Sequence, residues 1–576
     1  MSLSIKDVPL AEGEGEEKET LPVPVILDND GCAAYDAIVE DAFEEEGDNM
    51  LSNDTNPREF VTWESRGTSY QFASNPMRKC VWIILVLRAV QMGLNYGLLF
   101  INPGFLTGVY NPSWNPGFSS SEANTFITGT HALNHTFPLL IALGADFLIG
   151  DYWMIMILLI AFFIPGSLIV TLCAWPYQLG DIFPINLYRI GFQILYTIGN
   201  GGIDTIVDIF GAKQFHPIIH THILDSFFIW TTVMAGVGGV TSELVYSMIA
   251  NASVAASFGL MTIALFISTL LFVYGTKRYI VRRNDRKDSL LTAKAMLCAA
   301  FCWKRTEQGQ VVACPPGFDK VKKSRGGGVQ DELVTPARRL ALVVPVQGLF
   351  LAGNLPPPQM TNLLIPMSYS MKHPPMWTGA NMVVVISSHV VLFGILANKF
   401  FYPYLGKRNI HLSTAHRVSI GSCFWALVFL VMIGIDRRLR RVYDETGEMI
   451  SIGWQYFPYA IGALAFVFTM PPQDAITYRV APSEWKVLGN AFNKFMQQGL
   501  SSLISSVLYE KTTHWFTPSN GNNNINGIEN YTKAESYKFM WICVGFALVQ
   551  AVFLALPCVD QWYKKIEKYC VAKDAE

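Results

Sequence analysis

The apolar residues of this chain gather into runs of about 20, the length of α-helix that spans a bilayer core at 1.5 Å per residue. Twelve membrane spans are predicted, at 80–101, 124–146, 153–175, 185–203, 224–245, 253–275, 339–361, 379–400, 414–435, 453–471, 487–508 and 537–558. Pro138, Pro165, Pro345 and the run Pro356-Pro357-Pro358 fall within spans and mark candidate bends, which membrane helices tolerate when neighbouring helices satisfy the freed backbone groups.

The polar stretches set the organisation around these runs. Residues 1–79 form an acidic head carrying Glu12, Glu14, Glu16, Glu17 and Glu44-Glu45-Glu46, with little that could build a core, so disorder and a cytosolic location are expected. The head lacks the basic start, short apolar stretch and small-residue cleavage site of a signal peptide. Residues 80–276 then form one six-helix bundle, 277–338 a basic cytosolic linker, 339–560 a second bundle, and 561–576 a cytosolic tail. Basic residues stay on the cytosolic side. The loop from Lys277 to Arg339 holds Lys277, Arg278, Arg282, Arg283, Arg286, Lys287, Lys320, Lys322, Lys323, Arg338 and Arg339, whereas the loops 108–123 and 176–184 hold no Lys or Arg. Both termini are therefore predicted inside. One loop disagrees: Arg437, Arg438, Arg440 and Arg441 follow span nine on the predicted outer side, among Asp436, Asp444, Glu445 and Glu448. Asn530-Tyr531-Thr532 is a glycosylation sequon facing outward in this topology.

Composition agrees. Of 576 residues, 51% are hydrophobic and 15% charged, against about 25% charged in soluble proteins, which excludes a water-soluble enzyme. A net charge of -2 leaves no nucleic-acid footprint, and the ten Cys lack disulfide or metal spacing and read as free thiols. No phosphate-cradling loop, zinc spacing or nucleophile constellation is present, so neither an enzyme nor a cofactor or metal is expected. An all-α membrane body of twelve helices, six and six across a basic linker, is by analogy of the major-facilitator type: two bundles rocking about a midplane cavity.

Charges inside spans cost roughly 2.5–3.5 kcal/mol at the bilayer centre, so each is a functional candidate. Arg88, Gln91 and Asn95 share one face of span one, beside Tyr96. The alternative for Arg88 is snorkelling or a structural pairing. His131 and His135 lie one turn apart on span two and suit a proton relay, or else simple hydrogen bonding. Span four ends in Gly199-Asn200-Gly201-Gly202-Ile203-Asp204, with Asp208 one turn on. Two such carboxylates in low dielectric cannot cheaply both be ionised and can take a proton or cation. The other reading has them capping the membrane edge in water. Gln347, Asn354 and Gln359 on span seven, with Gln473 and Asp474, are polar candidates in the second half, or helix-to-helix hydrogen bonds worth about 0.6 kcal/mol each.

Gly199 to Phe215 resembles the span-four signature of the proton-coupled oligopeptide transporter family. Asp146 to Gly150 is similar to that family's turn between spans two and three, Tyr402-Pro403-Tyr404-Leu405-Gly406-Lys407-Arg408 to its span-eight exit, and Ala481-Pro482-Ser483-Glu484-Trp485-Lys486 to its turn before span eleven. These landmarks cover about residues 80–560 in order. The chain departs from the family where coupling is expected: Arg88 and Gln91 stand where its two span-one Glu would be, Met92 at its Arg, and Asp204 at its span-four Lys. If that Glu faces that Lys, then Arg88 facing Asp204 is the same pair with signs exchanged. The family's span-two His falls on Thr128 and its span-ten Glu near Ala465 or Phe466.

The resemblance implies a secondary transporter working by alternating access; a monomer among membrane lipids is expected, in the plasma membrane first, with an endomembrane as the alternative. It implies short peptides as the leading small polar solute. Arg88, Gln91, Asn95, Tyr96, His131, Asn200, Asp204, Gln347 and Asn354 would bind it, His135, Asp204 and Asp208 would handle protons, and Asp146 would gate the cytosolic side. The alternatives are another solute, such as nitrate or an amino-acid-like compound, moved by uniport or exchange, and a non-transporting receptor or scaffold.

Overall fold

The computed structural model describes residues 60–575 apart from 66–67, 109, 119, 217–219, 282–303, 308–309, 314–322, 324–330, 375–378, 409–411, 483–484 and 517–526. Most of the acidic head and much of the basic linker thus lie outside the described residues, as do Ser483 and Glu484.

Every predicted span is helical. Span one runs Met77–Leu106, span three Asp151–Ala174, span five Ile223–Ala252, span six Val254–Arg278, span eight Val383–Lys407, span nine Thr414–Thr446 and span twelve Tyr537–Ala555. Seven of these helices are long and apolar enough to cross a membrane, and the bent pair Pro336–Gly348 with Leu351–Ser368, kinked by 57°, makes span seven an eighth. Span two (Ser120–Gly144), span four (185–212), span ten (Tyr456–Val480) and span eleven (486–511) complete the twelve. These last four fall short in hydropathy because they carry His, Asn, Asp, Gln and Lys side chains, and they are also the helices that meet around the buried polar cluster described below. A polar residue facing another helix meets no hydrocarbon, so such a helix can be less apolar than one wetted by lipid.

Several boundaries differ from expectation. Span four continues past residue 203 to Ala212, with Asp204 and Asp208 inside it and almost buried. Its apolar Ile203, Ile206, Val207 and Phe210 pack into the first bundle while the carboxylates meet partners on other helices, so the charges do not end the span. Span nine extends to Thr446, which carries the discordant Arg437 to Arg441 on helix rather than in a loop. Arg440 pairs with buried Asp436 at 2.8 Å and donates to the Thr532 carbonyl at 2.6 Å, Arg441 pairs with Glu445 at 2.9 Å, and Arg438 lies over the Trp454 ring. Much of that positive charge is therefore neutralised locally. Span ten likewise continues past residue 471, enclosing Gln473 and Asp474.

The head, the linker and the tail each contain regular elements. Strands β1 (Phe60–Ser65) and β2 (Thr68–Ala73) pair antiparallel within the head, and Phe72 is fully buried with its ring edge-on to His216 at 5.3 Å. Strands β3 (Lys304–Glu307) and β4 (Gln310–Ala313) pair within the linker. The tail forms a helix, Pro557–Ala575, and buried Tyr563 on it donates to the Val346 carbonyl at 3.0 Å, tying the tail to span seven.

Of the candidate bends, span seven is the sharp one. Pro138 sits inside an unbroken helix, whereas Pro165 follows a widened turn at Leu158–Phe163, where its missing N–H costs no regular helix bond. Spans two and four approach closely at Gly201, where a Cβ would lie 2.2 Å from the Asn134 carbonyl oxygen.

Candidate solute site

Arg88 lies deep in span one, 5% exposed. Its guanidinium donates to the Asp204 carboxylate and, at 2.8 Å, to Gln91 Oε1, and its Nε stands 3.6 Å from Asp208 Oδ1. The charge-exchanged pair expected from the sequence is thus formed between spans one and four. A third element joins it: Lys494 of span eleven stands 3.7 Å from Asp208 Oδ2 and 3.8 Å from Asp474 Oδ2 of span ten. Two cations therefore face three carboxylates, a formal charge of one negative if all are ionised, shared between the two bundles.

Amide groups fix the cluster in place. Gln91 donates to Asn200 at 2.6 Å, and Asn200 donates in turn to Asn95 at 3.0 Å and Asn134 at 2.9 Å, linking spans one, two and four. In the second bundle Asn493 donates to Asp474 at 2.6 Å, and Gln497 reaches both Asp474 and Gln473 at 3.3 and 3.2 Å. Gln473 and Asn354 bond each other, Gln347 donates to Thr477, and Gln359 donates to Ser505 at 2.7 Å. Each such bond from one helix to another holds the two in register.

A cavity of about 1630 Å³ lies between the bundles. Its deep end is lined by Arg88, Asp474 and Lys494, its middle by Tyr96, His131, His135, Glu243 and Gln359, and its wall continues to Tyr110, Tyr369 and Ser536 at the ends of helices predicted to face outward. Of the residues expected to bind solute, Arg88, Tyr96 and His131 line it. Gln91, Asn200, Asp204, Gln347 and Asn354 are buried behind the wall, and Asn95 also stands off it; each makes at least one side-chain bond to another protein group, so in this conformation they support the site rather than face it. His131 and His135 stack with ring centroids 6.0 Å apart, both on the wall. Asp208 lies behind it.

Toward the ends predicted to face the cytosol the bundles are in contact. Asp146 Oδ2 accepts from the Leu488 amide at 2.8 Å, at the start of span eleven. Asn490 donates to the Thr205 carbonyl at 2.7 Å, Asp225 of span five accepts from Arg479 at 2.6 Å and from Arg417 at 3.5 Å, and Asn398 donates to Ser226 at 2.8 Å.

Sequence reasoning passed over two charged residues of this site, Lys494 and Glu243. Both lie inside predicted spans, and the rule that drew attention to Arg88, charge within an apolar run, applies to them equally. Among the described residues no group of three or more His, Cys, Asp or Glu side chains is arranged to hold a metal ion.

Residues 152–350 match the model of the POT family. The protein NRT1/PTR family 5.13 of Arabidopsis thaliana is 24% identical over 85% of this chain and 93% of its own length. Among solved structures, that of the POT family transporter PepTSo superposes with a TM-score of 0.59 at 18% identity, covering 85% of this chain and 99% of that one. An auto-inhibited POT family peptide transporter gives a TM-score of 0.58 at 19% identity, covering 84% and 96%. These likenesses carry the two-bundle, twelve-helix fold.

Proposed function

We propose, for a chain that belongs to the POT family and crosses the membrane many times, that it is a secondary transporter moving a small polar solute by alternating access of its two bundles. One observation carries this reading: a solute-sized cavity between the bundles ends on an ionic cluster to which both contribute, Arg88, Asp204 and Asp208 from the first, Asp474 and Lys494 from the second. Such a cluster cannot stay intact while the halves separate, so its rearrangement links occupancy of the cavity to rocking. The bonds of Asp146, Asp225 and Asn490 act as the inner gate in the outward-facing state.

Short peptides are the leading solute, through the family. Proton coupling enters through the charge count: with three carboxylates against two cations, one proton on Asp208, Asp204 or Asp474 balances the cluster, and His135 on the cavity wall offers a relay. The protein acts as a single chain in the plasma membrane. The test is uptake of a labelled panel of di- and tripeptides, amino acids and nitrate by the purified protein in liposomes, with and without an inwardly directed proton gradient. Accumulation that follows the gradient is expected; absence of both net uptake and exchange across the panel refutes the transporter reading.

The reversed charges at Arg88 and Asp204 favour a second reading, a different polar solute carried by uniport or exchange. Uptake indifferent to the gradient selects it.

A further inference from the structure

Span seven is interrupted at one main-chain bond. In a regular helix the Gly353 amide would donate to the Leu349 carbonyl. Here the side chain of Gln550, from span twelve and 2% exposed, stands between them: its Oε1 accepts from the Gly353 amide at 3.0 Å and its Nε2 donates to the Leu349 carbonyl at 2.7 Å. The regular bonds on either side persist, from the Leu349 amide to the Pro345 carbonyl at 3.1 Å and from the Asn354 amide to the Phe350 carbonyl at 3.2 Å. The inserted amide thus coincides with the place where the two halves of span seven turn by 57°, and a side chain let into the helical ladder is a known cause of so sharp a kink.

The surroundings treat the two halves differently. The inner half is tied down at the closed end of the molecule: Arg339 donates to the Arg479 carbonyl at 2.8 Å, Gln347 donates to Thr477, and Tyr563 of the tail helix donates to the Val346 carbonyl at 3.0 Å. The outer half carries Pro358, Gln359, Asn362, Leu363 and Pro366 on the wall of the large cavity. Span twelve, which bears the wedge, is bound to span nine through the Ser419 hydroxyl, which donates to the Ala551 carbonyl at 2.7 Å. Gly353 makes room for the wedge, since a Cβ there would fall 2.7 Å from Gln550 Cγ.

We propose that Gln550 is a positioning residue for transport: its inserted amide holds the outer half of span seven at the angle of the outward-open cavity, and its withdrawal lets Leu349 and Gly353 bond each other as the helix straightens and the cavity wall moves. The proposal rests on the transporter reading above and adds to it a group outside the cavity that sets the balance between the two states. Bent and straight forms both satisfy the two main-chain groups, once through Gln550 and once directly, so the element has two discrete arrangements. Without an amide at position 550 only the straight form satisfies them, and each buried donor or acceptor left unpaired disfavours the bent form by about tenfold.

The experiment takes the full chain in nanodiscs, on a background without exposed cysteines, and compares the native hinge with Gln550→Leu and Gly353→Ala. It reads maleimide labelling of Phe228→Cys at the inner end and of Asn362→Cys in the outer cavity. Gln550→Leu keeps the bulk and removes the amide, whereas Gly353→Ala keeps the amide and displaces it. For both, inner labelling is expected to rise about tenfold or more while outer labelling falls. Labelling equal to that of the native hinge at both reporters overturns the proposal. So does a rise at both, the mark of a loosened bundle rather than a shifted one. If Gln550→Leu does not insert, Gly353→Ala decides by the same two readings. Uptake by the native hinge in liposomes separates the two levels of failure: unchanged labelling in a protein that moves solute removes this role of Gln550 alone, whereas a native hinge that moves no solute removes the transporter reading.

Discussion

The ion pair between spans one and four can be tested by exchanging its charges. Arg88 and Asp204 are 5% and 8% exposed, and Arg88 also faces Asp208 at 3.6 Å. Arg88→Glu takes the cluster from a formal one negative charge to three, and Asp204→Lys takes it to one positive. Breaking a buried pair from one side costs about 3–5 kcal/mol, because the remaining charge is stranded away from water. That corresponds to two or more powers of ten in any equilibrium that needs the cluster intact. The double variant restores both the attraction and the original charge count. Its recovery is expected to be partial, since a glutamate at 88 then faces Asp208 where a guanidinium stood. The assay is a double-mutant cycle read by the thermal midpoint in detergent and by liposome uptake, each normalised to protein inserted. Singles that fail and a double that regains much of both support the pair. A well-inserted double variant no better than the worse single refutes it.

Three further outcomes follow from the geometry. Asp225→Asn removes both partly exposed ion pairs at the inner end, to Arg479 and Arg417, worth about 1–2 kcal/mol together; labelling of Phe228→Cys from the inner side, on a background without exposed cysteines, should rise about five- to thirtyfold, and unchanged labelling removes the gate. Gly201→Ala places a Cβ against the Asn134 carbonyl and should cost about 1–3 kcal/mol, lowering the thermal midpoint; a midpoint equal to wild type shows that spans two and four are not held there. At the tail, burial opposes the charge on Asp560, but Lys564 at 2.8 Å, the Ser413 hydroxyl and His416 at 3.2 Å outweigh it and hold the carboxyl below its ordinary value. A lowered value means the stabilisation is complete above the unfolded-state value near 4 and is lost as pH falls through the folded one; fluorescence of the neighbouring Trp562 should report undocking of the tail helix only in that acid range, and Asp560→Asn should abolish the transition.

Apolar runs located the helices, because a segment of about 20 apolar residues has few places to be other than a bilayer, although four of the twelve carry enough polar side chains to fall short in hydropathy. The same logic made Arg88 and Asp204 stand out, and their pairing was legible through the family resemblance, which sets them where an oppositely charged pair is expected, with the cost of burying either charge alone as the physical reason. What the chain order could not contain was which helices face which. Lys494 joins the cluster from span eleven, more than 280 residues from Asp208, and Glu243 faces the cavity because Gly239 lets span eight approach. Gln347 and Asn354 looked like solute ligands by composition, yet packing turned them toward Thr477 and Gln473. Span ends were misjudged for the same reason: a charge reads as the edge of a membrane segment until a partner on another helix takes it, as happens at Asp208 and Asp474. Local sequence decides how much of a helix can leave water, while the pairing of its polar face depends on distant segments and exists only once the bundles have assembled.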